Sequence, residues 1–293
     1  MTAPANVRTC YRHPDRVAGI VCQRCDRPIC PSCMHQASVG FHCPECTKQR
    51  AQKVYQGVAS LATKPLATQV LIGLNVVIFI GTAITRTTVG WTTGGKLLAR
   101  SGYGGLTADG SLVGFLVPDE PWRLVTSGFL HDGIFHLGLN MWALWILGRI
   151  LEQALGRGRF LALYFTSLMG GSLGVMLLDG RSVTVGASGA LFGMLAALIL
   201  VARDNKMDLM RSGLLPILGL NLLITFAIPG ISIGGHIGGL VAGGVAGLAF
   251  IEGTKRLGPR ASPLTMAAVS VLGVGLALAA YLLAVSEFGF LSG

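Results

Sequence analysis

Seven long apolar runs constrain this chain more than any other feature. They lie at about residues 66–85, 134–151, 159–178, 186–202, 213–229, 231–251 and 264–286. Each is near the ~20 residues that a helix needs to cross roughly 30 Å of hydrocarbon. No water reaches the backbone there, so runs of this kind close their own hydrogen bonds as helices. The apolar residues form continuous runs rather than narrow stripes, which argues against a water-soluble bundle. Composition agrees: 52% of the 293 residues are hydrophobic and 12% charged, and 42 glycines suit close helix approach. The expected fold is therefore an all-α polytopic membrane protein. Its fifth and sixth helices are separated only by the Pro229-Gly230 turn.

A formal charge of +10 raises the question of nucleic acid. The basic residues are spread through loops, with no dense patch interleaved with aromatics, so no nucleic-acid partner is expected. They read instead as topology signals. With the N-terminus inside, the inner loops hold Arg149/Arg157/Arg159, Arg203/Lys206/Arg211 and Lys255/Arg256/Arg260. The short outer loops hold only Arg181. The long first loop, residues 86–133, carries Arg86, Lys96, Arg100 and Arg123, but long loops weigh less in the rule. The expectation is a multi-pass protein of a bacterial plasma membrane, with its N-terminus cytoplasmic and its C-terminus outside. No secretory leader is expected, because the first apolar run begins near Leu66.

All seven cysteines fall in the first 46 residues. They form four ligand pairs: Cys10 with His13, Cys22 with Cys25, Cys30 with Cys33, and Cys43 with Cys46. Each pair sets two soft ligands at adjacent tetrahedral positions, and eight ligands suit two structural zinc ions. Disulfides fit less well: the cysteine number is odd, a histidine completes one pair, and the cytoplasm keeps thiols reduced. An interleaved arrangement joins Cys10/His13 with Cys30/Cys33, and Cys22/Cys25 with Cys43/Cys46; a sequential one also stays open. His35 and His42 are spare ligands. The stretch resembles a B-box-type zinc finger, which implies a module for a cytoplasmic protein partner or for regulation. The metal would supply folding energy that so short a chain lacks. The expected organisation is this module at 1–50, a basic linker at 51–65, a six-helix core at 66–251, and an inner loop with a seventh helix at 252–293.

Within the helices, polar residues recur at one depth. The second, fourth and sixth helices all run from outside to inside. His131 lies just before the second, with His136 and Asn140 in its first turns, one helical turn apart on one face. Ser188 opens the fourth, and His236 lies early in the sixth. Such groups are costly in hydrocarbon and tend to face an interior cavity. A serine beside a histidine is the minimum for nucleophilic acyl transfer. The first N–H groups of a helix lack intrahelical partners and can meet an oxyanion, to which His136 and Asn140 could add donors. Taken alone, Ser188 among Gly and Ala reads more often as a packing residue. Ser172, in "GGSLG", matches the nucleophile-elbow pattern but sits inside a helical run and reads as packing. Arg149 and Glu152 read as a loop ion pair.

Five ordered motifs then resemble the rhomboid family of intramembrane serine proteases over roughly residues 66–251. They are "PWR" at 121–123, "HDGIFHLGLNMW" at 131–142, "GRILE" at 148–152, "GASG" at 186–189 and "GHIGGLVAG" at 235–243. The resemblance implies a six-helix core plus one, with Ser188 as nucleophile and His236 as base. It implies oxyanion support from His136, Asn140 and the Ser188 N–H. Gly186 would allow close approach beside the scissile carbonyl. Substrates would be transmembrane segments of membrane proteins, the lipid bilayer the working medium, and no cofactor would enter the chemistry. Where the family often has a tyrosine four residues after the serine, this chain has Phe192, which keeps a ring but no hydroxyl. A catalytically inactive rhomboid-like protein that binds membrane clients is the competing expectation.

Overall fold

The computed structural model describes residues 8–36, 40–48, 64–100, 102–258 and 261–289. Most of the expected linker, and Arg260 of the last inner loop, lie outside the described residues. The chain divides into two compact units, Met1–Ala62 and Thr63–Gly293.

The small unit pairs β1 (Ile20–Val21) with β2 (Pro28–Ile29) and β3 (His35–Gln36) with β4 (Phe41–His42), then forms α1 (Pro44–Lys48). Two-residue strands cannot hold a fold alone. The buried cluster explains what does: Cys10, Cys22, Cys30, Cys33, Cys43 and Cys46 are buried with Ile29, and Tyr11, Ile20, Met34 and Phe41 pack half-buried against them. The core of this unit is its set of thiols.

The large unit is helical: α2 (Leu66–Thr85), α3 (Thr93–Ala99), α4 (Gly105–Gly110), α5 (Arg123–Thr126), α6 (Ile134–Leu155), α7 (Arg157–Leu178), α8 (Ser188–Asp204), α9 (Leu214–Ala227), α10 (Ile233–Leu257) and α11 (Ala261–Phe288). The helices α2, α6, α7 and α10, with residues 262–288 of α11, are long and apolar enough to cross a membrane. The other two expected spans are shorter, at 17 residues for α8 and 14 for α9. The start of α8 lies two residues later than expected for a visible reason. Its approach is not helical: Leu112 and Thr184 bond as an isolated bridge, and the Gly186 N–H donates to the Ser127 carbonyl at 2.9 Å. Non-helical backbone of this kind is tolerated at depth only where protein satisfies it.

Helix α7 is the central staff, with 72% of its apolar window buried against 28% for α2. It meets α8 and α10 along a seam of glycines. A Cβ at Gly174 would lie 2.0 Å from the Gly234 carbonyl oxygen, one at Gly238 2.2 Å from that of Gly170, and one at Gly239 2.0 Å from that of Gly189. Only hydrogen at these positions lets the three backbones touch, as small residues do between membrane helices. The C-terminal end of α7 also pins α10. The Asp179 carboxylate accepts from Ser232 Oγ at 2.6 Å and from the Gly234 N–H at 2.8 Å, while Ser232 caps the Gly235 N–H. These contacts fix where α10 starts and hence where His236 points.

The first loop, 86–133, is a folded layer rather than an open connection. Arg123 is fully buried and donates to the Ala108 and Ser111 carbonyls at 2.9 and 2.7 Å and to Glu120 at 2.7 Å. Glu120 in turn accepts from the Gly94 N–H. Trp122 bonds the Asp109 carbonyl and remains partly exposed, as does Trp91.

The expected pair of Arg149 and Glu152 is not formed. Glu152 is 4% exposed and accepts from the Ala67 and Thr68 N–H groups and the Thr68 hydroxyl, with Arg157 at 3.6 Å. Arg149 lies over the Trp145 ring instead. The start of α2 carries unpaired N–H groups and partial positive charge, and a carboxylate answers both.

Candidate active site

Ser188 is the first residue of α8 and His236 the fourth of α10. The glycine seam and the Asp179 clamp bring them together: His236 Nε2 lies 2.8 Å from Ser188 Oγ. His236 is 9% exposed. Phe192, one turn beyond Ser188, stacks on the imidazole with ring centroids 4.2 Å apart and planes tilted by 17°. The ring of His236 is thus held in plane by Phe192 and at its edge by Ser188.

Gly186 has φ +126°, a conformation open to glycine and strained for other residues. A Cβ there would lie 2.9 Å from His136 Cε1 and Nε2 and 3.7 Å from Ser188 Oγ. The His136 ring therefore packs on the backbone that leads into Ser188. The Asp132 N–H donates to His136 Nδ1 at 3.3 Å, so Nε2 carries the ring proton and offers it toward Gly186. Asn140 donates one amide proton to the His136 carbonyl at 2.8 Å. Its Oδ1 is buried and has no hydrogen-bond partner among the described residues. His131 is 4% exposed and meets His136 edge-on at 5.1 Å, with neither nitrogen partnered among the described residues. The Ser188 N–H, at the start of α8, has no intrahelical acceptor. The Ser188 hydroxyl, the His236 ring and, through Gly186, the His136 ring thus gather at the start of α8. That arrangement can run acyl transfer.

Ser172 is not part of this group. It is buried on α7 and donates to the Leu124 carbonyl at 2.6 Å, tying α5 to α7. One neighbour of His236 escapes sequence reading: Thr225 of α9, whose Oγ1 lies 2.7 Å from His236 Nδ1. A threonine in an apolar run carries no signal that separates it from a packing residue.

The ligand pairs of the small unit interleave. Cys10, His13, Cys30 and Cys33 form one group, and Cys22, Cys25, Cys43 and Cys46 the other, with the ligand atoms of each group within 4.8 Å of one another. His13 Nδ1 lies 3.9, 3.5 and 3.3 Å from the sulfurs of Cys10, Cys30 and Cys33, and Cys25 and Cys43 sulfurs are 3.8 Å apart. A tetrahedral metal with bonds of about 2.3 Å to sulfur and about 2.0 Å to nitrogen has edges of roughly 3.5–3.8 Å. The donor sets fit such an ion. The Cys43 N–H donates to Cys22 Sγ at 3.2 Å, and the Cys46 N–H to Cys43 Sγ at 3.4 Å, which favours thiolate at both sulfurs. The Ser32 hydroxyl beside Cys30 pulls that thiol down to about 6. His35 and His42 face each other across β3 and β4, outside both groups.

The rhomboid domain family matches residues 118–253. Among curated proteins, the chain is 34% identical to the rhomboid protease GluP of Bacillus subtilis over 206 residues, covering 69% of this chain and 38% of that protein. It is 41% identical to RHOMBOID-like protein 5 of Arabidopsis thaliana over 140 residues, 45% of each. It is also 35% identical over 86 residues to inactive RHOMBOID-like protein 8 of the same plant, 29% of this chain and 24% of that one. The chain thus spans less than half the length of each of these relatives.

Proposed function

The chain carries a rhomboid domain, and we propose that this domain is an intramembrane serine endopeptidase acting on transmembrane segments of membrane proteins. The observation that carries the reading is the 2.8 Å contact between His236 Nε2 and Ser188 Oγ. Ser188 Oγ attacks the scissile carbonyl carbon while His236 takes its proton. The oxygen that gains charge is met by the Ser188 N–H, the His136 Nε2–H and the second amide proton of Asn140. Collapse breaks the C–N bond, and His236 returns the proton to the leaving amine. Water then repeats the sequence on the acyl-enzyme ester. Gly186 keeps the approach clear, Phe192 holds the imidazole plane, and His131 supports His136 from its edge. A peptide bond locked in a helix is shielded, so segments that unwind readily are the preferred substrates.

The Lys/Arg distribution supports a cytoplasmic N-terminus, a C-terminus outside, and a site near the outer leaflet. The two ligand groups of the small unit are assigned to two structural zinc ions. Every coordination position would be filled by protein, so the metal would supply folding energy and no chemistry. The module would serve a cytoplasmic partner or regulation, and proteolysis would need no cofactor.

Purified protein in bilayers should cleave a model transmembrane substrate, and Ser188→Ala should lower the rate by at least about a thousandfold. A serine-directed fluorophosphonate should label the native chain and not the variant. Cleavage retained in Ser188→Ala sinks the assignment. Absence of both cleavage and labelling in the native chain favours a client-binding protein, as the likeness to an inactive relative would suggest.

A further inference from the structure

We infer that Thr225 is the positioning residue of the dyad: its hydroxyl fixes the tautomer of His236 that leaves Nε2 free to take the Ser188 proton. The argument is one of hydrogen-bond supply. A threonine hydroxyl has one proton to give and two lone pairs to accept with. Thr225 Oγ1 donates that proton to the Asn221 carbonyl, one turn back on α9, at 2.7 Å. The same oxygen lies 2.7 Å from His236 Nδ1. With its proton committed to Asn221, the hydroxyl can only accept from the ring, so Nδ1 carries the N–H. A neutral imidazole has one N–H, which makes Nε2 the acceptor facing Ser188 at 2.8 Å. The reverse arrangement would put the proton on Nε2, aimed at the serine, and a protonated Nε2 cannot accept. Among the described residues, the side chains that hydrogen-bond this ring are Ser188 and Thr225. The nearby carboxylate, Asp179, is spent on Ser232 and Gly234. A neutral hydroxyl therefore does the orienting that a carboxylate does in a Ser-His-Asp triad.

The placement of Thr225 adds weight. It is 2% exposed and the only buried residue of α9, whose other side chains are exposed or half-buried. Leu214 packs the start of this helix on the core cluster, and Thr225 joins its far end to His236. The dyad thus takes its serine from α8, its histidine from α10 and its orienting group from α9.

The test uses the full chain in detergent or bilayers. Thr225→Val keeps the shape and removes the hydroxyl; Thr225→Ser keeps the hydroxyl. Thr225→Val should lower kcat by about ten- to a hundredfold with KM within about twofold, and Thr225→Ser should stay within about threefold of the native chain. Nitrogen-15 NMR of labelled histidine, with His236 assigned by its loss in His236→Gln, reads the tautomer directly. The native ring should be protonated at Nδ1, and Thr225→Val should shift it toward a mixture. A native ring protonated at Nε2 overturns the inference, whether or not the variants fold. So does a Thr225→Val chain with native kcat and an unshifted ring. The kinetic arm rests on the proteolytic reading and the NMR arm does not. Equal cleavage by native chain and Ser188→Ala would fail that reading while the spectrum still decides the role of Thr225.

Discussion

Gly186 carries two constraints at once. Its φ of +126° strains any side chain, and a Cβ would meet the His136 ring at 2.9 Å. Gly186→Ala should therefore cost about 1–3 kcal/mol of backbone strain and push His136 off the site. Loss of one oxyanion donor lowers kcat by roughly a hundredfold or more, and that is the expected size here. Gly275→Ala on α11 meets nothing within 4 Å and should leave kcat and Tm near native. Native kcat in Gly186→Ala would remove His136 from the mechanism. Single residues differ in how far sequence exposes them. Ser188 and His236, which meet at 2.8 Å, are legible because a costly polar group in hydrocarbon needs a reason, and polar groups expected at one depth share one. Glu152 and Thr225 are not. The value of Glu152 lies in the unpaired N–H groups of α2, 84 residues away from it at Thr68. The value of Thr225 lies in which atom of His236 it meets. Neither partner is visible until the helices are packed.

Between elements, the distance from Ser188 to His236 is set by how closely α8 and α10 approach. Two glycines of α10 separate the crossing from its surroundings. A Cβ on Gly239 would stand 2.0 Å from the Gly189 carbonyl oxygen, whereas one on Gly244 meets only Ala196 Cβ at 3.8 Å. Gly239→Ala must move backbone, because its obstacle is backbone. Overpacking of this kind costs about 1–3 kcal/mol, and the expected fall in Tm is ~5 °C. Moving α10 also draws His236 from Ser188, so fluorophosphonate labelling should fall more than tenfold. Gly244→Ala, the same change five residues on, should alter neither. Equal behaviour of the two variants would show that the seam does not set the distance from Ser188 to His236. At this scale hydropathy makes the helices legible, since run length and apolar content decide them. The layer at 86–133 is less so. Its short helices hang on the buried Arg123–Glu120 pair and on Asp109, which bonds the Trp91 and Thr92 N–H groups. Such a network has no periodicity to read. The expected run at 186–202 and α8 at Ser188–Asp204 have the same length, and the two-residue offset at the start arises because Ser127 claims the Gly186 N–H.

For the molecule as a whole, the two units draw their stability from different sources. The large unit buries an extensive cluster that includes Leu144, Leu151, Phe160, Leu163, Tyr164, Met194 and Phe250. The small unit buries six thiols and Ile29. Burying a side chain of that kind contributes only about 1.5–3 kcal/mol, far below the entropy of ordering some 40 residues at ~1–2 kcal/mol each. Metal binding of about 10–16 kcal/mol per structural zinc ion can make up much of the difference. Treating the full chain with a strong chelator should therefore release two metal equivalents and unfold the small unit. Limited proteolysis should then cut within residues 8–48, sites that are protected in the metal-loaded chain. The transmembrane helices hold their own hydrogen bonds and core, so far-UV circular dichroism should lose little helix. If proteolysis needs no metal, cleavage of the model substrate should continue at close to its native rate. Readdition of zinc should restore protection of the small unit. Two observations would overturn this division: protection that survives complete metal loss, or cleavage that stops on chelation while the helices remain intact and returns with zinc.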